Sequence, residues 1–85
     1  MEAIKIVEKL QPLSSLPSGQ RGLVHSLDGG RAFGSRLANL GFTAGAEVTV
    51  VQNYGRGPML VTLRGTLVAL GRAEAQKVFV QVVPS

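Results

Sequence analysis

The sequence has no cysteine and one histidine, His25. Disulfides and thiolate metal sites are therefore excluded. A Ser/His/Asp constellation has only His25 to build on, and no nucleophile-elbow pattern surrounds it. His25 lies between Val24 and Ser26 in an alternating segment, which reads as a solvent-facing strand position. Structural zinc wants Cys and His ligands at close spacing. Here the only assembly available is weak and adventitious: His25 with a carboxylate such as Asp28 or Glu47. Acid pairs are lacking too. Glu2 and Glu8 fall in a tail, and Glu47 and Glu74 at element ends, away from any apolar pocket that would raise a carboxyl pKa for acid catalysis. The sequence thus reads as a non-enzyme with no cofactor.

Long apolar runs are also missing. No stretch approaches the roughly 20 residues needed to span a bilayer. Met1 to Lys9 carries alternating charges in place of the apolar run of a signal peptide. The expectation is a cytoplasmic chain that reaches a membrane only through a partner. Aromatics are few: Phe33, Phe42, Tyr54 and Phe79. Three of them read as core, leaving Tyr54 alone in a loop, whereas single-strand nucleic-acid binders use several stacking platforms.

What is present is enough for one domain. The 85 residues are 45% hydrophobic, and a chain this short buries only about 60–65% of its unfolded surface. The net charge of +4 comes from scattered residues rather than a basic run. Glycine is the main punctuation, with eleven copies. Turn signals every 8–12 residues mark a small all-β domain.

Residues 1–12 read as an N-terminal extension of open structure: edge strand, helix or tail. Residues 13–85 read as the domain. Leu13 to Leu16 reads as a turn of helix anchoring two leucines, and Gly22 to Leu27 as a strand. Phe33, Leu37 and Leu40 share one helical face at i, i+4, i+7. Gly41 stands where a left-handed cap belongs, and Phe42 can fold back onto the last turn. Gly34 inside the helix suggests a close approach to the barrel. Gly45 turns the chain into a strand from Glu47 to Gln52. Asn53 to Pro58 is a loop tip by composition. Met59 to Arg64 and Thr66 to Leu70 form a hairpin around Arg64-Gly65. Gly71 to Gln76 is one helical turn, and Val78 to Val83 closes the sheet. The expected fold is mainly β with short helices: a small, closed or nearly closed SH3-like five-stranded barrel with a helix inserted after the first strand. Gly29-Gly30-Arg31-Ala32-Phe33-Gly34-Ser35 superficially suggests a P-loop, but no Lys follows the last glycine. It reads as a tight turn before a helix.

From Leu13 to Val83 the chain resembles the FeoA family of ferrous iron transport accessory proteins. The resemblance is carried by Leu13-x-x-Leu16-x-x-Gly19, by Gly22-x-Val24, and above all by the stretch from Arg36 to Gly45. Gly57-Pro58, Val61, the stretch from Leu67 to Arg72, and Ala75-x-x-Val78-x-Val80 follow in order. It implies an SH3-like barrel in which Leu37, Leu40, Gly41 and Gly45 are structural. It implies a partner, the cytosolic GTP-binding part of the membrane transporter FeoB, whose transport or GTP turnover the chain adjusts. Membrane contact would be indirect, through FeoB, and self-association is left open. A groove between loops is expected to dock the partner, with Arg31 and Arg36 on the insert from Leu27 to Phe42, and Tyr54, Arg56 and Met59 at the loop from Asn53 to Pro58. In that picture Tyr54 is an amphipathic anchor, Arg56 a fork for carboxylates and Met59 an adaptable contact. Against it stand a Tyr54 that merely caps the barrel and a solvated Arg56. The alternative function is an SH3-like nucleic-acid-binding module, suggested by the positive charge and by Gly19 to Val24.

Overall fold

A computed structural model describes residues 10–84. Six strands form one antiparallel sheet: β1 (Leu10–Pro12), β2 (Arg21–Leu27), β3 (Glu47–Gln52), β4 (Met59–Leu63), β5 (Thr66–Leu70) and β6 (Val78–Val83). Their order across the sheet is β1-β6-β2-β3-β4-β5. A 3-10 turn (Leu13–Ser15) follows β1, helix α1 (Arg31–Asn39) follows β2, and helix α2 (Arg72–Ala75) follows β5. Beyond the five expected strands stands the short β1, so the edge-strand alternative holds for Leu10–Pro12. The helically spaced Ile4 and Val7 lie outside the described residues.

The strands form because their apolar residues alternate. Val48 and Val50, Met59, Val61 and Leu63, Val68 and Leu70, and Val78 and Val80 all point to one face and are buried. They join Leu13, Leu16, Leu37, Phe42 and Ala75 in a single core. Little helix is available to cover that face, since α1 contributes only Leu37 and α2 only Ala75 to the buried set. The sheet therefore covers its own inner face by curling, as an SH3-like domain does. Two irregularities supply curvature. The β2–β6 register shifts at His25, and the β3–β4 register shifts at Val51. A bulge of this kind bends its strand and strengthens the local twist. Curling stops short of closure, because β1 and β5 remain the two ends of the sheet.

The end of α1 matches a Schellman motif. Gly41 N–H donates to Ala38 O at 2.9 Å, and Phe42 N–H donates to Leu37 O at 3.0 Å. Gly41 has φ +108°, the left-handed conformation that this reversal needs. A Cβ there would also meet Leu63 Cδ2 at 3.1 Å. The reversal carries Phe42 into the core beside Leu37. Leu40, expected on the buried face, is instead 43% exposed. It is the cap residue, and Phe42 occupies the core place that helical spacing assigns to it. Gly34 is not a point of close approach either: a Cβ there would meet nothing within 4 Å. Gly45 is a turn residue with φ +86°.

Candidate docking surface

The described residues enclose no pocket. What they offer is a projecting loop, and Asn53 fixes it. At the end of β3 its Nδ2 donates to Leu16 O at 2.7 Å and to Ser14 O at 3.0 Å. Its Oδ1 accepts from Gly55 N–H at 3.0 Å and from Arg72 Nη2 at 2.8 Å. Its backbone N–H donates to Ser18 Oγ at 3.0 Å. One amide side chain thus satisfies two carbonyls of the 3-10 segment, turns its own loop, and receives α2. Gly55 (φ +84°) and Gly57 (φ +72°) let the chain reverse. On this anchored loop Tyr54 is 76% exposed, so it does not cap the barrel. Arg56 is exposed beside it.

Met59 is a correction. At the loop base it is 0% exposed and belongs to the core, so it cannot meet a partner. As the first residue of β4 it takes the inward phase shared by Val61 and Leu63.

The insert supplies the second flank. Arg31 is exposed at the start of α1. Arg36 is exposed too, but it forms an ion pair with Glu74 of α2. That contact lowers the Glu74 pKa; the Gly71 N–H on Oε1 at 3.1 Å lowers it further, and partial burial opposes both. Helix α2 is therefore a junction. Arg72 ties it to the loop through Asn53, and Glu74 ties it to α1 through Arg36. The two segments chosen from the sequence are brought to either side of α2. Sequence reasoning missed Asn53 and Arg72. The available signal was an Asn ending a strand before Tyr-Gly, a residue type that bonds the backbone two residues on.

The metal candidates do not assemble. His25 is exposed at its bulge, with Nδ1 3.1 Å from Ser26 Oγ. Glu47 pairs with Arg21 at 2.9 Å. No group of three His, Asp or Glu able to hold a metal occurs among the described residues. Nor is there a stacking surface of the kind a nucleic-acid binder uses. Phe42 is buried, Phe33 and Phe79 are half-buried, and Tyr54 stands alone. No helix among the described residues is long and apolar enough to cross a membrane.

Comparison with known proteins places this geometry. The family model described as the FeoA domain matches residues 11–82. A curated protein of Methanocaldococcus jannaschii, named "Putative Fe(2+) transport protein A", is 29% identical over 72 residues, which span 85% of this chain and 87% of that one. A crystal structure described as iron uptake regulatory protein (FeoA) superposes with TM-score 0.84 at 29% identity, covering 88% of this chain and 100% of the other. Stenotrophomonas maltophilia FeoA in complex with zinc superposes with TM-score 0.72 at 36% identity, covering 81% and 87%. That protein is described as a procaryotic SH3 domain protein and a candidate ferrous iron transport activating factor.

Proposed function

The chain belongs to the FeoA family, and from that membership we propose that it is a non-enzymatic accessory protein of ferrous iron uptake. It docks on the cytosolic GTP-binding part of FeoB and adjusts transport or GTP turnover. It works in the cytoplasm, at the inner face of the membrane while FeoB holds it there, and needs no cofactor of its own.

One observation carries the docking reading: Tyr54 stands 76% exposed on a loop whose root is hydrogen-bonded on every side. Exposing a large aromatic is an odd use of one of only four aromatics in a domain short of core. A tyrosine brings apolar area and a hydroxyl, with few torsions to freeze. The anchored loop lowers the ordering cost of association. Arg56 adds a planar fork suited to carboxylates, and Arg31 extends the basic rim. Arg36 holds the surface together through Glu74 rather than reaching outward.

The reading predicts saturable binding when the chain is titrated into the cytosolic region of FeoB, with a shift in its GTPase rate. The contact is of the weak signalling type, under about 1,200 Å² in total. Absence of both binding and a rate change would remove FeoB as the partner.

A further inference from the structure

We infer that the edge of β5, which no strand among the described residues covers, receives an extended, acidic segment of the partner polypeptide as a seventh strand. The inference deepens the docking reading and rests on it.

The sheet has two ends, and they are treated differently. Among the described residues the β1 edge is three residues long and closes on Pro12, one way an edge is blunted. At β5 the edge is Thr66-Leu67-Val68-Ala69-Leu70, with no charge, no proline and no register break. Such an edge is a ready template for another strand.

Hairpin geometry fixes which groups are on offer. Arg64 (φ +53°) and Gly65 (φ +78°) form a two-residue turn with both residues left-handed, which makes Leu63 and Thr66 a hydrogen-bonded pair. Alternation then assigns Thr66, Val68 and Leu70 to bonding with β4. The N–H and C=O groups of Leu67 and Ala69 point outward. The side chains of the same two residues lie on the outer face, where Leu67 is 60% exposed. Backbone groups and apolar contact area thus come from the same residues, the combination that strand addition uses.

Charge selects the occupant. From Val48 to Ala73 the chain carries Arg56, Arg64 and Arg72 and no carboxylate. Arg64 sits at the start of the edge. The loop bearing Tyr54 and Arg56 leads into Met59, which pairs with Leu70 at the other end. Arg64 at one end donates to Thr43 Oγ1, and Arg72 at the other to Asn53 Oδ1 and Ser14 O. All three partners are neutral, so the positive charge at both ends of β5 is not offset and favours an acidic segment. A second copy of this chain fits badly. Pairing β5 with itself about Val68 brings the Arg64 end of each copy against the Arg72 end of the other, and juxtaposed like charges disfavour a partner.

Amide hydrogen exchange on the full chain, with and without the cytosolic region of FeoB, tests this. The expected result is at least tenfold slower exchange at Leu67 and Ala69 in the complex. Ala69→Pro removes an outward N–H that β4 does not use, as edge strands tolerate. It should weaken binding at least tenfold with the melting temperature unchanged. Leu67→Glu should weaken binding more than Leu67→Lys, because only the former repels an acidic strand. A complex that forms without protecting Leu67 and Ala69 overturns strand addition while leaving docking intact. Protection that appears in the free chain and grows with its concentration overturns the acidic occupant in favour of self-pairing. Absence of any complex overturns both the docking reading and this inference.

Discussion

Arg72 Nη2 donates to Asn53 Oδ1 at 2.8 Å, across 19 residues of sequence. The same guanidinium reaches Ser14 O at 3.3 Å, and Asn53 Nδ2 reaches that same carbonyl at 3.0 Å. The exposed loop is thereby fastened to both the 3-10 turn and α2, so its conformation is a property of the folded core.

Removing the amide should loosen the loop and weaken the domain together. Asn53→Ala takes the side-chain donor from Leu16 O and one of two partners from Ser14 O and from Arg72. Leaving such groups unpaired costs about 1–3 kcal/mol each when buried; here, with part burial, a total loss of about 1–2 kcal/mol is expected in chemical denaturation. The Gly55 amide, which Asn53 Oδ1 accepts, should exchange faster. An unchanged Gly55 exchange rate would separate the loop from its anchor.

Met59 and Tyr54 should respond in opposite ways to the same truncation. Met59→Ala opens a cavity in the core and should cost about 2–5 kcal/mol. Tyr54→Ala removes a side chain that is mostly in water and should leave stability within about 0.5 kcal/mol. Urea unfolding of the two variants checks the assignment of one to the core and the other to the surface.

Gly41→Val should destabilise the fold. A β-branched residue resists φ +108°, and its Cβ would press on Leu63 Cδ2 at 3.1 Å. Strain of this kind is of order 1–3 kcal/mol. In a domain of this size each kcal/mol lowers the melting temperature by roughly 4–8 °C. A melting temperature equal to wild type would mean that the end of α1 is elsewhere.

Acid should erase the contribution of the α1–α2 tie. The Glu74 carboxyl is held below its ordinary value, first by Arg36 and then by the Gly71 N–H. A depressed folded-state pKa gives stability that is full above the unfolded-state value, about 4.3, and is lost as pH falls through the folded-state value. With Arg36 more than half exposed, the pair is worth about 0.2–1 kcal/mol. Glu74→Gln should therefore be slightly less stable than wild type at pH 7, and the difference should shrink towards pH 3. A difference independent of pH would contradict the pairing.

Local signals carried most of the fold. Glycine spacing, alternating valines and Arg64-Gly65 all report on neighbours a few residues away, and the strands fall where those signals put them. The reversal at Gly41 was legible for the same reason. Leu40 was not, because helical periodicity cannot say that Phe42, after the reversal, fills the place assigned to Leu40. Met59 looked like a loop-base residue until strand phase placed it inward. The anchoring of the loop was invisible, since Asn53, Ser14 and Arg72 are far apart in sequence and meet only when the folded sheet brings together the segments that follow β1, β3 and β5. Arg36 was recognisable as surface, but its engagement by Glu74 joins residues 38 apart in sequence.

The most direct measurement is a calorimetric titration of the cytosolic region of FeoB with wild type and with the Tyr54→Ala, Arg56→Ala double variant. The account predicts saturable wild-type binding and at least tenfold weaker binding by the variant, about 1.4 kcal/mol, with thermal stability unchanged. Equal affinity of the two proteins would contradict it and move the docking surface away from this loop.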